Sequence, residues 1–352
     1  MPGKKTLFNV AILGATGAVG EAMLSILAER KFPVAKLVAL ASERSAGDRI
    51  DFGGKQVTVH DLAGFNPAIA DPKSPELGGI DIALFSAGGS ISREYAPKFV
   101  AAGAVVIDNS SVFRGDDDVP LVVAEVNPEA IAQRPRGIIA NPNCSTMQLM
   151  VALAPIHRAV GIERINIATY QSVSGAGRAA MEELGRQTAA LLNLQPIEPK
   201  RFPVQIAFNL IPHAGDFLAN GYTSEEMKLV TETRKILADP AIQVNATVVR
   251  VPVFYGHAEA VHIETRHKLS AADARKLLKK APGVQVVDER TAGGYPTPVT
   301  HAAGADPVFV GRIREDISHP RGLNLWVVAD NIRKGAALNA VQIAELLVKA
   351  YS

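Results

Sequence analysis

The chain has one cysteine, and its surroundings suit a nucleophile. Asn141-Pro142-Asn143-Cys144-Ser145-Thr146 reads as a turn leading into a helix, because proline and asparagine favour turns and helix N-caps. A thiol at a helix start meets unpaired N–H groups and the positive end of the dipole, which favour the thiolate. Taken alone, a buried and inert cysteine is as good a reading. The other chemical signal is Gly14-Ala15-Thr16-Gly17-Ala18-Val19-Gly20, between an apolar run and an amphipathic segment. Glycines let a backbone approach a pyrophosphate, and the following helix start offers it N–H groups. Gly14, Thr16, Gly17, Ala18 and Val19 are the expected contacts. The spacing is G-x-x-G-x-x-G, and a bare strand–helix turn is the alternative. A thiolate and a nicotinamide in one protein point to redox chemistry at the aldehyde level, through a thioester.

Roughly 20 residues past the loop, where a cofactor's ribose is read, stands Ala41-Ser42-Glu43-Arg44-Ser45. An acid there accepts ribose hydroxyls. An arginine beside a serine holds a 2′-phosphate. Both are present, and Arg44 with Ser45 favours NADP over the alternative of a solvated loop.

These groups need a scaffold. Phe8–Leu13, 36–41, 80–85, Val105–Asp108 and 137–140 are continuous apolar runs. Helical patterns at 21–30 and 92–102 lie between them. Such alternation predicts a parallel sheet covered on both faces. Beyond Cys144 a helix is expected to about 159. Ile162–Gln171, 247–253, 260–266 and 324–328 read as strands, the second and third alternating as half-buried strands do. Ser270 opens a helix to 280 with a capping box to Asp273, and 333–351 reads as one long amphipathic helix. The fold class is therefore α/β: a Rossmann-type dinucleotide-binding domain at 1–141, completed by a C-terminal helix over 331–352. The rest, 142–330, would be an α+β catalytic and dimerisation domain with a mixed, largely antiparallel sheet.

Composition narrows the classes. A chain of 352 residues suits two domains. With 47% hydrophobic and 20% charged residues it can bury a core, and disorder is excluded. Net charge is +2 with no basic run, so nucleic acid is a poor partner. No long charge-free apolar stretch suggests a membrane span. One cysteine forbids an internal disulfide and suits a reducing compartment. A soluble cytoplasmic protein is expected.

Several motifs resemble those of bacterial aspartate-semialdehyde dehydrogenases: Gly14–Gly20, Asn109-Ser110-Ser111-Val112-Phe113-Arg114, Asn141–Thr146, Gln171-Ser172-Val173-Ser174-Gly175-Ala176-Gly177, Glu225-Glu226-Met227-Lys228 and Arg250 through His257. They occur in order along nearly the whole chain. The related acyl-phosphate reductase of arginine synthesis has a glycine where this chain has Asn143. Val112 stands where alanine is usual.

The resemblance implies roles. Cys144 would attack the acyl carbon and Gln171 would orient the substrate. Arg114 and Lys228 would hold the phosphate, Glu225 the ammonium and Arg250 the carboxylate. His257 would be the acid/base, its unperturbed pKa of about 6.5 serving both jobs. Ser174, Gly175 and Asn331 would touch the cofactor, although Asn331 could equally be a helix N-cap. Taken alone, Glu225 and Lys228 would read as an exposed intrahelical ion pair. Arg250 and His257 would face opposite sides of one unbroken strand, so Pro252 and Gly256 are expected to turn or bulge it.

The implied reaction is NADP-dependent, with aspartyl phosphate, aspartate semialdehyde and phosphate as small-molecule partners. It belongs to the synthesis of lysine, threonine, methionine and isoleucine, in a homodimer. A reductase for another acyl phosphate or acyl-CoA, or a non-catalytic dinucleotide sensor, are the alternatives.

Overall fold

The computed structural model describes residues 5–65 and 79–351. The chain divides into two compact units, Met1–Pro142 with Ala336–Ser352, and Asn143–Gly335. Among the described residues no helix is long and apolar enough to cross a membrane.

The first unit is Rossmann-type. Its strands are β1 (Phe8–Leu13), β2 (Val34–Ala41), β3 (Arg49–Phe52), β4 (Lys55–Asp61), β5 (Ile82–Phe85), β6 (Val105–Asp108) and β7 (Ile138–Ala140). They form one sheet in the order β3-β4-β2-β1-β5-β6-β7, parallel except for the β3–β4 hairpin. The apolar runs fill its centre: Val10, Ile12, Ile82, Leu84 and Ile107 are fully buried. Helices α1 (Ala18–Glu29) and α2 (Gly89–Ala101) follow β1 and β5. β3 and β4 escaped the sequence reading. Their residues are mostly half or fully exposed at the sheet edge, so they show no apolar run.

The C-terminal segment completes this unit's core. Val341, Ile343 and Leu347 are fully buried in the cluster that holds Met23, Ile26 and Leu27 of α1. Each such side chain contributes about 1.5–3 kcal/mol by burial. The long helix expected over 333–351 is two pieces, a π-helical turn (Arg333–Leu338) and then an α-helix over Asn339–Tyr351. The chain re-enters the first unit within that turn, at Ala336 rather than at 331.

The second unit begins with α3 (Cys144–Val160) and β8 (Ile162–Gln171). α4 (Arg178–Leu192), α5 (Ser224–Ile236), β9 (Gln243–Arg250) and β10 (His257–Thr265) follow. Then come α6 (Ala271–Leu278), β11 (Val284–Val286), β12 (Val308–Glu315) and β13 (Gly322–Ala329). The sheet order is β11-β12-β13-β10-β8-β9, with β11–β12 and β8–β9 parallel and the other pairs antiparallel. β8 alternates: Ile165, Ile167, Thr169 and Gln171 are buried, while Asn166, Ala168 and Tyr170 are half-buried. Helix α3 packs against the sheet through β8, β10, β12 and β13, and almost every residue from Ser145 to Ile156 is buried.

Two expectations shift here. The strand expected over 247–253 stops at Arg250, because Pro252 has no N–H to give to a ladder. Ser270 caps α6 by accepting from the Asp273 backbone at 3.1 Å, but the Asp273 carboxylate takes the Ser270 hydroxyl instead of closing the box. A full capping box lies elsewhere, at the start of α5. Thr223 and Glu226 each accept from the other's backbone, at 3.3 and 2.7 Å.

Candidate active site

In the first unit the glycine loop is shaped as a phosphate cradle. A Cβ on Gly14 would meet the Ser86 carbonyl oxygen at 2.8 Å, and one on Gly20 would meet that of Gly14 at 2.2 Å. Only glycine lets the loop close this tightly. Gly17 is the N-cap of α1 and supplies no side-chain cap, so no side chain of the cap covers the first N–H groups, those near Ala18 and Val19. A cleft of about 420 Å³ opens beside the loop, lined by Gly14, Thr16, Ser42, Glu43, Asp61 and Tyr95 among others. Thr16 Oγ1 lies 3.4 Å from Ser45 Oγ, which ties the loop to the turn after β2. Arg44 is exposed on that turn, and the residue lining the cleft there is Glu43. Asp61 was missed, since its strand gave no signal. The residues fit a dinucleotide: a tight backbone cradle, an uncapped helix start and an acid where a ribose would lie.

Arg114 also belongs to this unit. Its Nη2 donates to the Asn109 carbonyl at 2.8 Å. Asp108 stays buried by accepting from Ser92 and Ser110, both at 2.6 Å, which fixes the turn that carries Arg114.

In the second unit Cys144 is the first residue of α3, and Asn143 caps the helix by accepting from the Ser145 backbone at 3.0 Å. Three more bonds hold this turn. The Asn143 side chain donates to Glu225 at 2.6 Å, its backbone donates to Glu232 at 2.7 Å, and Gln171 donates to the Ser145 hydroxyl at 2.8 Å. Gln171 is therefore not an edge-strand residue but the end of a central strand, buried against the cysteine's helix.

Glu225 and Lys228 do form an i,i+3 ion pair, at 2.7 Å. It is not simply exposed: Glu225 is largely buried, with its side chain 14% accessible. Burial pushes its carboxyl up, but the Lys228 charge, the bonds from Lys228 and Asn143, and Arg250 outweigh this and hold it below its ordinary value.

Arg250 and His257 are not on one bent strand. They end β9 and begin β10, on either side of β8. The loop between them crosses over β8, and it pairs with the 173–174 turn through Val253 and Phe254. The two side chains converge all the same. A Cβ on Gly175 would sit 3.2 Å from Arg250 Nη1 and 3.3 Å from His257 Nε2. Arg250 donates to the Ser172 carbonyl at 2.9 Å. Burial lowers its pKa, against the opposing pull of Cys144 and Glu225.

His257 departs from the expected titration near neutrality. It is completely buried, and burial first, then the Arg250 charge, lower its pKa to about 3. Asn331 lies behind it. Its Oδ1 accepts from the Gly256 backbone at 3.0 Å and the Ser172 hydroxyl at 2.9 Å, and its Nδ2 donates to Ser174 at 3.0 Å. The amide thus braces the turn around His257. The helical turn that follows is capped by Asp330, which accepts from Ile332 and Arg333 at 2.8 Å. Two steps along β10, Glu259 is fully buried, and burial raises its pKa well above the ordinary range. Asn143, expected as a cap, is one, whereas Ser172, Glu232 and Glu259 had no individual signal in the sequence, although Ser172 lies within a recognised motif.

One unit thus carries a dinucleotide cradle, and the other a helix-start cysteine with a buried histidine and arginine at one glycine. Those are the parts of a dinucleotide-dependent aldehyde dehydrogenase. The model of the semialdehyde dehydrogenase NAD binding domain matches residues 9–134, and that of the semialdehyde dehydrogenase dimerisation domain matches 153–334. An aspartate-semialdehyde dehydrogenase of Legionella pneumophila is 58% identical over 346 residues, 97% of this chain and 96% of that protein. The crystal structure of aspartate semialdehyde dehydrogenase II of Vibrio cholerae complexed with ASA superposes with a TM-score of 0.93 at 58% identity, covering 99% of this chain and 100% of that one. The Candida albicans enzyme with NADP gives 0.74 at 25% identity, covering 98% and 99%. The chain belongs to the semialdehyde dehydrogenase family, among its aspartate-semialdehyde dehydrogenases.

Proposed function

We propose that the protein converts L-aspartyl 4-phosphate to L-aspartate 4-semialdehyde with NADPH, through a thioester on Cys144. The observation that carries this reading is the convergence of Arg250 and His257 at Gly175 in the unit whose first helix begins with Cys144. The helix start and Arg250 favour a thiolate. Its attack on the acyl carbon forms the C–S bond and expels phosphate. The glycine loop would hold a reduced nicotinamide cofactor, which would supply the hydride, with Arg44 and Ser45 contacting its 2′-phosphate and Ser174 and Gly175 its nicotinamide end. The tetrahedral adduct on Cys144 then breaks its C–S bond, and the electron pair returns to sulfur.

Recognition follows charge. Arg250 grips the substrate carboxylate through its planar fork, and Glu225, held ionised, meets the ammonium. Lys228 and Arg114 take the phosphate. Gln171, fastened to Ser145, orients the acyl group. Asn331 serves the cofactor side through Ser174 rather than with its own committed amide. The dimerisation-domain match supports a homodimer built through the second unit. The step would supply lysine, threonine, methionine and isoleucine synthesis in the cytoplasm.

The test is a reductive assay with aspartyl phosphate, run with NADPH and with NADH and beside other acyl phosphates and acyl-CoA thioesters. Turnover of aspartyl phosphate with NADPH is expected. Preference for another acyl donor would move the protein to a sister activity, and no turnover of any would leave it a dinucleotide-binding protein.

A further inference from the structure

Gly335 is buried in the π-helical turn Arg333–Leu338. Glycine is a poor choice for a helical turn, because it gives up more backbone freedom than alanine does. Two physical needs can still place it there: a positive φ, or a neighbour too close for a Cβ. The first is absent, since Gly335 does not have a positive φ. The second is present. A Cβ on Gly335 would stand 2.8 Å from the Cys144 Cβ and 3.3 Å from its Cα, whereas carbon atoms in contact keep about 3.5–4.0 Å apart. The atom in the way is one bond from the backbone of α3, so it cannot swing aside as the tip of a long side chain could.

Neither partner in this contact is free to retreat. The Gly335 N–H donates to the Asp330 carbonyl at 3.0 Å, the i→i−5 bond of a π-turn. The Asp330 carboxylate in turn accepts from the backbones of Gly304, Ile332 and Arg333, at 2.7, 2.8 and 2.8 Å. Arg333 is paired with Asp306 at 2.8 Å. On the other side, Asn143 caps the start of α3. The segment that carries Gly335 also reaches the second reactive group. Asn331 lies 3.6 Å, at its Cβ, from the point where a Gly335 Cβ would be, and its amide braces Gly256 and Ser172 beside His257.

We propose that Gly335 is a positioning residue for the nucleophile: its bare Cα is the surface against which the Cys144 Cβ rests, and the π-turn thereby sets where the thiol stands relative to His257 and Arg250. The inference rests on the thioester reading above. The Cβ is the pivot of the thiol, so a displaced Cβ carries Sγ with it and changes its line of attack. Reaction needs sulfur and acyl carbon about 3–3.5 Å apart and aligned. The glycine acts only through Cys144 and touches no reacting atom itself.

Gly335→Ala in the full enzyme tests this. The kcat should fall about 10²-fold, the scale of a misplacement of about 1 Å, while the KM values for semialdehyde and phosphate stay within about 3-fold. Alkylation of Cys144 by iodoacetamide should slow and its pH midpoint should rise, because a displaced thiolate loses the N–H groups of the helix start. Alkylation needs no turnover, so it reports on Gly335 even if the assay of the proposed reaction fails. Denaturant unfolding of Gly335→Ala, Cys144→Gly and the double variant covers the case in which the first is too damaged to assay. Removing the Cys144 Cβ removes the obstacle, so Gly335→Ala should lower the unfolding midpoint of the wild type but not that of Cys144→Gly. Wild-type kcat and alkylation in Gly335→Ala, a loss confined to KM, or a drop in midpoint undiminished in the Cys144→Gly background would overturn the inference.

Discussion

The Asn143 side chain donates to Glu225 at 2.6 Å, so the helix that starts with the cysteine is fastened to the helix that carries the buried acid. The same amide's oxygen caps α3. Asn143→Ala removes both contacts. Loss of the cap should cost about 1 kcal/mol, within the 0.5–2 typical of such sites, and alkylation of Cys144 by iodoacetamide should slow. Denaturant unfolding and alkylation kinetics measure the two effects. Wild-type values for both would mean that this contact does not hold the cysteine.

Cys144→Ser should keep the fold and abolish turnover, since a hydroxyl lacks the acidity and nucleophilicity of the thiol. The change is nearly isosteric, so stability should move by no more than about 1 kcal/mol. Substantial activity in a clean preparation would exclude the thioester route.

Arg44→Ala should weaken NADPH by about 1.5–3 kcal/mol, the loss of a charge-assisted contact, and barely affect NADH. Glu43→Ala should do the reverse, because Glu43 lines the cleft where a ribose would sit. Titrating both cofactors against each variant separates the roles. An equal loss of both cofactors in the Arg44 variant would remove it from the 2′-phosphate.

The two arginines are assigned different anions, and oxidative-direction kinetics can tell them apart. Lysine keeps the charge but loses the fork. Arg114→Lys should raise the KM for phosphate and leave that for the semialdehyde nearly unchanged. Arg250→Lys should do the opposite, each by about 1.5–3 kcal/mol. Identical or exchanged patterns would overturn the assignment.

Glu259 should leave a mark on stability against pH. Its carboxyl is raised by burial in the fold and ordinary, about 4.3, when unfolded. Above that value the unfolded chain releases a proton that the native state keeps. Rising pH therefore favours unfolding, by up to about 1.4 kcal/mol per pH unit, until the folded pKa is passed. Glu259→Gln does not titrate and loses this slope. Its stability relative to wild type should climb from pH 5 to pH 8 in denaturant unfolding. A flat difference would mean that Glu259 is already ionised in the native protein.

Much of this protein is written locally. The glycine loop, the strands β1, β6 and β8, and the start of α3 follow from short-range rules: apolar runs with no charge, glycine where backbones touch, asparagine where a helix must be capped. Those signals sit within a few residues of each other, so the sequence exposes them. It also determined that Cys144 opens a helix, and the motif resemblance then named partners for it.

What the chain alone did not determine is how distant segments share one pocket. Arg250 and His257 meet because β8 passes between their strands, a matter of sheet order that no local spacing encodes. The hairpin β3–β4, at one side of its sheet, carries too few buried residues to show a pattern. The state of His257 is hidden from the sequence for the same reason. An imidazole's ordinary pKa is a property of the residue, whereas its burial, the nearby Arg250 charge and the Ser172 N–H aimed at Nδ1 exist only once β8, β9 and β10 lie side by side. Desolvation and hydrogen-bond direction depend on three-dimensional surroundings, and these only the tertiary structure decided.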